Sequence, residues 1–149
     1  MAEYLGFNVL RCDPPRAAKE GMDGFCDLDY LLSNSQIVTM HTPLDNITRG
    51  MADSHFFAMM RPGAFFINAS RGEVVVEEAL KEAMPKLGAV IIDTWNNEPD
   101  VDAELLEMVD IATPHIAGYS YQGKQNGTSS AVRAVARHFG FESLYDFYP

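Results

Sequence analysis

The sequence predicts an open, doubly wound parallel α/β sheet. Short apolar runs alternate with helical patterns along the 149 residues, which is the order of elements expected for strands joined by crossover helices. The runs are continuously apolar and do not alternate with polar residues, as is typical of parallel strands covered on both faces. A chain of this length, with 47% hydrophobic residues, has enough apolar material for one good core.

Each predicted element is bounded by residues that favour turns or helix caps. The apolar runs predict strands over residues 7–12, 36–40, 64–68, 89–93 and 110–112. Helical patterns predict helices over residues 27–32, 54–60, 76–84, 103–108 and 129–139. Asp27 and Asp53 are the predicted N-caps of the first two helices, because aspartate accepts hydrogen bonds from free amide groups at helix starts.

Composition excludes several classes of partner. The chain has 11 basic and 21 acidic residues, and a net charge of −10 argues against phosphate-backbone binding, so no nucleic-acid partner is expected. No apolar run approaches the roughly 20 residues of a membrane span, and the first residues lack the pattern of a signal peptide. Cys12 and Cys26 have no CxxC spacing and are expected to be reduced thiols in a cytoplasmic protein without membrane contact.

Polar or ionisable residues follow every predicted strand. In open parallel sheets, ligands bind at the carboxyl ends of strands, so this edge is the candidate site. Each residue taken alone has an ordinary structural explanation, such as a turn, a cap or a packed histidine. Their coincidence at one edge favours a ligand site, and the residues are Asp13, His41 with Thr42, Ser70 with Arg71, Asp93 through Glu98, and His115.

These residue types suit a redox reaction on a hydroxy acid. An arginine fork can donate two parallel hydrogen bonds to a substrate carboxylate, and a histidine can exchange a proton near neutral pH with support from a carboxylate. An aspartate near the edge of the sheet suits the hydroxyls of an adenosine ribose. Together they describe hydride transfer between a nicotinamide and a 2-hydroxy acid. A metal site built from His41, Asp93 and His115 is the competing interpretation, but no HxH or HExxH spacing supports it.

Four blocks of sequence resemble the D-isomer-specific 2-hydroxyacid dehydrogenases in order and spacing. They are His41-Thr42-Pro43-Leu44, Asn68-Ala69-Ser70-Arg71-Gly72, Asp93-Thr94-Trp95 with Glu98-Pro99, and Thr113-Pro114-His115-Ile116-Ala117-Gly118. The resemblance implies a Rossmann-like NAD-binding domain of an oxidoreductase. Two narrower segments, residues 12–17 and 115–124, resemble a branch of the family that acts on a phosphorylated 2-hydroxy acid.

The resemblance also implies a catalytic role for three residues. Arg71 would hold the substrate carboxylate beside the nicotinamide. His115 would take the proton of the C2 hydroxyl, and Glu98 would hydrogen-bond that imidazole.

The implied binding residues surround the cofactor NAD and the substrate. Asp13 would bind the adenosine ribose and favour NAD over NADP, although Arg16 lies close enough in sequence to leave the 2′-phosphate question open. Tyr119 would contact the small-molecule substrate. The remaining residues expected to line the cofactor are Thr42, Ala69, Ser70, Arg71, Asp93 and Gly118.

The sequence departs from the family pattern at its ends. The first strand of the domain and the GxGxxG turn have no counterpart, and the chain contains no Gly-x-Gly. Residues 1–149 are therefore expected to form a partial NAD-binding domain, without the substrate domain and the C-terminal dimerisation domain of relatives. The intact protein is expected to be a homodimer.

Two other interpretations stay open. One is a catalytically silent NAD-binding or interaction module. The other is a dehydrogenase for a different 2-hydroxy acid, such as 3-phosphoglycerate. The presence of Arg71, Glu98 and His115 together favours the enzyme, because a protein that only binds NAD needs no acid–base pair.

Overall fold

The computed structural model describes residues 2–118 and 120–149, and these residues divide into two compact units between Ala112 and Thr113. The first unit contains α1 (Pro14–Glu20), α2 (Leu28–Asn34), β1 (Ile37–Met40), α3 (Ser54–Met59), β2 (Phe65–Asn68), α4 (Glu77–Ala83), β3 (Ala89–Ile92), α5 (Ala103–Met108) and β4 (Ile111–Ala112). It also has short 3-10 turns at Glu3–Leu5, Gly72–Val74 and Met84–Lys86. The second unit contains α6 (Tyr121–Phe139) and a 3-10 turn at Glu142–Leu144.

The first unit is built on a parallel sheet with strand order β1-β2-β3-β4, which confirms the predicted parallel α/β fold. In the register of the sheet, Val38 pairs with Phe66 and Phe66 pairs with Val90. These three side chains lie on one face and are buried, whereas Ile37 and Phe65 on the other face are 42% and 43% exposed. The expectation that both faces are covered is therefore wrong for β1 and β2.

The strand order explains the uneven burial. Crossovers between parallel strands are right-handed, so strands added in sequence order place all their connecting helices on the same face. A sheet is wound on both faces only where the strand order reverses. The four strands of the described residues contain no such reversal.

The core lies between the sheet and helices α2 to α5. Phe56 and Phe57 of α3 pack edge-to-face on Phe66 of β2, with ring centroids 6.0 and 5.1 Å away. Edge-to-face contact is a favoured arrangement of aromatic rings and adds to the gain from apolar burial. Leu32 of α2, Leu80 of α4 and Leu105 of α5 are also fully buried. Strand β2, which ends shortly before Arg71, therefore packs on a layer of buried helix side chains.

Aspartate caps fix the starts of three of these helices. Asp27 and Asp53 accept hydrogen bonds from the amides of Tyr30 and Phe56, which confirms both predicted caps. Asp102 caps α5 in the same way and also receives Lys81 of α4 at 2.6 Å. Hydrogen bonds to Asp102 and then to Glu104 raise the pKa of Lys81. This link anchors the far end of the loop that follows β3.

The prediction of a strand over residues 7–12 is wrong. The segment has no regular structure, and the backbone carbonyl of Arg11 accepts a hydrogen bond from the amide of Cys26 at 2.8 Å. An apolar run becomes a strand only where a neighbouring strand supplies a ladder of hydrogen bonds. Helix α1, which follows this segment, is absent from the predicted elements, because two consecutive prolines, Pro14 and Pro15, are typical of a chain turn. Proline is well tolerated in the first turn of a helix, where its missing amide has no partner to lose.

The other predicted elements are confirmed with ends shifted by one or two residues, except that α6 is much longer than predicted. It begins at Tyr121, and Ser120 caps it by accepting the amide of Gly123 at 2.9 Å. The first turns of α6 contain Gly123 and Gly127 and were not predicted as helix, because glycine is unfavourable inside helices. Arg133 donates to the carbonyl of Phe147 at 2.9 Å and ties the C-terminal segment to the helix. In the described part of the chain, no helix has the length and apolar character that crossing a membrane requires.

Candidate functional site

An open cleft of about 560 Å³ lies at the carboxyl ends of β1 and β2. Its size falls within the range of ligand pockets, and its position is the one where parallel sheets bind ligands. The cleft brings together five of the predicted site residues, which are His41, Thr42, Ala69, Ser70 and Arg71. The full lining is His41, Thr42, Pro43, Leu44, Ala69, Ser70 and Arg71.

A buried asparagine organises the turn after β2. The side-chain oxygen of Asn68 accepts hydrogen bonds from the amide of Ser70 at 3.1 Å and from its hydroxyl at 2.8 Å. Its side-chain nitrogen donates to the carbonyl of Arg71 at 2.9 Å. Arg71 is exposed, and its Nη1 donates back to the carbonyl of Ser70 at 2.6 Å. The turn therefore holds Arg71 at its backbone carbonyl and at Nη1, and Arg71 lines the cleft.

Gly72 sets the distance between the turns after β2 and β3. A Cβ atom at Gly72 would lie 2.1 Å from both the carbonyl carbon and the carbonyl oxygen of Trp95, and 2.4 Å from the amide nitrogen of Asn96. Only a residue without a side chain fits against this backbone. Arg71 is in this way held next to the loop that carries Glu98.

The loop after β3 is buried at its start and exposed at its end. Asp93, Thr94 and Trp95 are buried, and the amide of Asp93 donates to the backbone carbonyl of Asn68 at 2.9 Å. Glu98 is exposed, and its Oε1 accepts the amide of Trp95 at 2.8 Å. The carboxylate of Glu98 is thus held back over its own loop.

The loop after β1 is held by its own side chains. His41 Nε2 lies 3.1 Å from the hydroxyl of Thr39, and the hydroxyl of Thr48 donates to the carbonyl of Pro43 at 2.6 Å. The Oγ1 of Thr42 is buried without a hydrogen-bond partner. A buried hydroxyl without a partner costs free energy, so this atom is a candidate contact for a polar ligand in the cleft.

Asp45 makes this loop sensitive to acid. Its Oδ1 accepts the amides of Ile47 at 2.8 Å and Thr48 at 2.9 Å, and the hydrogen bonds from Thr48 and then Ile47 lower the pKa of Asp45. A lowered pKa means that the charged form stabilises the fold above the usual aspartate value near 4, and that this contribution is lost as the pH falls below it. We expect the protection factors of the Ile47 and Thr48 amides, measured by NMR hydrogen exchange and corrected for the intrinsic pH dependence of exchange, to fall in acid.

The variant Asp45→Asn serves as the control for this prediction. Its amide oxygen accepts the same bonds but does not titrate, so the acid-dependent step should disappear. An identical acid response in the variant and the unmodified chain would contradict the assignment to Asp45.

Asp13 lies at a helix start and does not follow a strand. Its Oδ1 accepts the amide of Arg16 at 3.0 Å, as the N-cap of α1. The guanidinium of Arg16 donates twice to Glu20, both bonds being 2.8 Å long, and lies over the ring of Phe25. Arg16 is therefore already committed to an acidic partner. Neither Asp13 nor Arg16 lines the cleft.

His115 and Gly118 belong to the second unit. Both are exposed, and His115 has a φ of 53°, a left-handed conformation that is uncommon for a residue other than glycine. Tyr119, which the sequence predicts to contact the substrate, lies outside the described residues.

Two functional features escaped the sequence analysis. Asn68 and Gly72 belong to a block of family-like sequence, but no role follows for either residue from the sequence alone. The signal for Asn68 is a polar residue at the buried end of an apolar run, because a buried amide must find hydrogen-bond partners. The contact between Gly72 and Trp95 joins residues far apart in sequence and leaves no local signal.

The comparisons with known proteins agree with this geometry. Residues 1–117 match the family model described as D-isomer specific 2-hydroxyacid dehydrogenase, NAD binding domain. The erythronate-4-phosphate dehydrogenase of Chromohalobacter salexigens is 44% identical over 142 residues, which cover 91% of this chain and 37% of that protein. The protein of the same name from Bacteroides fragilis (strain ATCC 25285) is 43% identical over 155 residues, covering 100% of this chain and 44% of that protein.

A solved structure shows the same fold. The D-lactate dehydrogenase of Aquifex aeolicus, complexed with NAD and lactic acid, superposes with a TM-score of 0.71 at 25% identity, covering 93% of this chain and 48% of that one. The chain belongs to the D-isomer specific 2-hydroxyacid dehydrogenase family, within its NAD-binding domain. It spans less than half the length of the two curated relatives.

Proposed function

We propose that this chain supplies the NAD-binding part of a dehydrogenase that oxidises the C2 hydroxyl of 4-phospho-D-erythronate to the 2-oxo acid 2-oxo-3-hydroxy-4-phosphobutanoate. The observation that carries the proposal is the placement of Arg71 in a cleft at the end of β2, with its carbonyl held by Asn68 and its Nη1 held by the carbonyl of Ser70. The choice of substrate rests on the two curated relatives and on residues 12–17 and 115–124. The activity is assigned to a protein of the relatives' length that contains this sequence.

The cleft suits the nicotinamide half of NAD. Its volume of about 560 Å³ and the buried, unpartnered hydroxyl of Thr42 fit a ligand that has both a ring and a carboxamide. NAD, when bound, supplies the acceptor for the hydride of the substrate. By the family resemblance, the residues proposed to hold the cofactor are Thr42, Ala69, Ser70, Arg71, Asp93 and Gly118.

The adenosine half is assigned to Asp13. Its Oδ1 caps α1, and a carboxylate at a helix start can also accept a hydrogen bond from a ribose hydroxyl. The pairing of Arg16 with Glu20 supports NAD over NADP, because binding a 2′-phosphate to Arg16 would require that ion pair to break.

Four residues are proposed to act on the substrate. Arg71 binds the carboxylate through its fork and orients C2 toward the cofactor. A ring nitrogen of His115 accepts the proton of the C2 hydroxyl as the carbonyl forms, and Glu98 stabilises the resulting imidazolium. Tyr119 contacts the substrate. The roles of His115, Glu98 and Tyr119 rest on the family resemblance.

The oligomeric state and the cellular location are proposed from the family resemblance and from composition. A homodimer is proposed from the family resemblance, and a cytoplasmic location from the acidic composition and the two cysteines without a pairing pattern. The partner of the protein is its small-molecule substrate, a phosphorylated 2-hydroxy acid.

The test is a chimera in which this chain replaces the matching segment of the Chromohalobacter salexigens enzyme. We expect NAD reduction with 4-phospho-D-erythronate, and a loss of about 10²- to 10⁴-fold in kcat for His115→Gln, which removes the proton acceptor but keeps a polar side chain. His138→Gln, an exposed position near the end of α6, is the matched control and should leave kcat unchanged.

Three results would redirect the proposal. A folded chimera that binds NADH but turns over no hydroxy acid indicates a silent NAD-binding module. A higher kcat/KM for 3-phosphoglycerate than for 4-phospho-D-erythronate overturns the substrate. Equal kcat in His115→Gln and His138→Gln overturns the role of His115.

A further inference from the structure

Asn68 is the most buried polar side chain of the candidate site. It is 1% exposed and does not line the cleft, so it has no direct access to a ligand there. It nevertheless uses both atoms of its amide and also its backbone carbonyl, and every partner belongs to the turn after β2 or the start of the loop after β3. A buried amide that uses both its nitrogen and its oxygen in this way is a fixed element of structure.

The hydrogen bonds of Asn68 converge on the backbone around Arg71. Its Nδ2 donates to the carbonyl of Arg71, and its Oδ1 accepts from the amide and hydroxyl of Ser70. The carbonyl of Ser70 in turn accepts Arg71 Nη1 at 2.6 Å. Asn68 therefore holds the peptide groups on both sides of the Ser70–Arg71 peptide, and the carbonyl of that peptide holds the guanidinium.

Asn68 also links this turn to β3. Its backbone carbonyl accepts the amide of Asp93 at 2.9 Å, while Gly72 touches the backbone of Trp95. Any shift of the turn relative to its neighbour strains these contacts. These backbone contacts set the position of the turn relative to β3, and the side chain of Asn68 fixes Ser70 and Arg71 within the turn.

Asparagine alone among the common residues meets these requirements. The site needs a donor toward the carbonyl of Arg71 and an acceptor toward Ser70 on one short, planar side chain. Aspartate has the same shape but no donor, so one carboxylate oxygen would face a carbonyl oxygen and repel it. Alanine would leave the amide of Ser70 and the carbonyl of Arg71 without side-chain partners.

We propose that Asn68 is a positioning residue that holds the guanidinium of Arg71 in the orientation that binds the substrate carboxylate. The inference depends on the proposed function for the identity of the substrate. The conformational order of the Arg71 side chain does not depend on it. Its two consequences, an ordered guanidinium and a low KM for the hydroxy acid, are measured separately.

The first measurement is ¹⁵N relaxation of the Arg71 Nε–Hε group in the 149-residue chain. In Asn68→Asp we expect its order parameter to fall below about 0.6, the range of flexible groups. Arg16, whose Nε is held by Glu20 at 2.8 Å, is the internal reference and should stay ordered. Ser70→Ala, which removes one donor to Asn68 and leaves the bond to Arg71 intact, should keep Arg71 ordered.

The second measurement is steady-state kinetics of the same variants in the chimera. For Asn68→Asp we expect KM for the hydroxy acid to rise about tenfold or more. We expect KM for NAD to change by less than about twofold. The two values differ because a small displacement of Arg71 weakens binding only of the ligand that its guanidinium contacts. A residue that only supports the fold would lower the melting temperature without this split. Asn68→Ala removes the same donor without burying a charge and replaces Asn68→Asp if that variant does not fold.

The outcomes separate this inference from the proposed function. Disorder of Arg71 in the Asn68→Asp variant of the 149-residue chain, together with a chimera that shows no turnover, supports the positioning role and removes the proposed function. Normal order of Arg71 in Asn68→Asp, with KM for the hydroxy acid unchanged, overturns the positioning role and leaves the function standing.

Discussion

Replacing Gly72 by alanine is expected to lower the free energy of unfolding by about 3 kcal/mol, because it forces a methyl group into closely packed backbone. The added Cβ would lie 2.1 Å from the carbonyl carbon and oxygen of Trp95, well inside van der Waals contact. A side chain in the way could rotate aside, but the backbone of a buried loop cannot. The two turns must separate, and the separation disturbs the carboxyl ends of β2 and β3 together.

The measurement is chemical denaturation followed by tryptophan fluorescence, since the single tryptophan is Trp95 itself. The matched control is Gly127→Ala in α6, where no atom outside the helix backbone and the chain neighbours lies within 4 Å of the added Cβ. There, alanine should leave stability unchanged or raise it by up to about 1 kcal/mol, because glycine is a poor helix former. A denaturation midpoint for Gly72→Ala equal to that of the unmodified chain would contradict the close approach.

The sequence predicts the polar ends of β1 and β2 and the helix caps Asp27 and Asp53 correctly, because both depend on a local pattern of residues. The apolar runs that became β1, β2 and β3 end in polar residues, and parallel strands bring such ends to one edge. For this reason Thr42, Ser70 and Arg71 were predicted as neighbours, and the cleft brings them together. The caps Asp27 and Asp53 were predictable for the same reason, since a cap depends on residues three positions apart.

Features that depend on distant partners were not predictable. Residues 7–12 have the composition of a strand, but strand formation depends on a neighbour that the local sequence does not reveal. Gly123 and Gly127 disfavour a helix at the start of α6. The cap by Ser120 and the hydrogen bond from Arg133 to Phe147 nevertheless stabilise α6. Asn68 was overlooked because its role is to satisfy backbone groups of other residues, and such a role becomes visible only when the hydrogen bonds are known.

Replacing Arg71 by lysine is expected to lower kcat/KM for the hydroxy acid about a hundredfold in the chimera, because lysine keeps the charge but cannot donate two parallel hydrogen bonds to a carboxylate. The turn itself should survive, since the carbonyl of Arg71 that Asn68 binds belongs to the backbone. The loss should therefore fall on the substrate and not on folding. Steady-state kinetics with NADH titrations measure the two effects separately.

Arg61→Lys is the matched control, because Arg61 is exposed and does not line the cleft. Its kcat/KM should equal that of the unmodified chimera. If Arg71→Lys also kept full kcat/KM, the fork would have no part in recognising the carboxylate. The placement of Arg71 at the end of β2 would then serve only the cofactor. In that case NADH affinity would be the quantity that Arg71→Lys weakens, and the same experiment distinguishes a substrate-binding arginine from a cofactor-binding one.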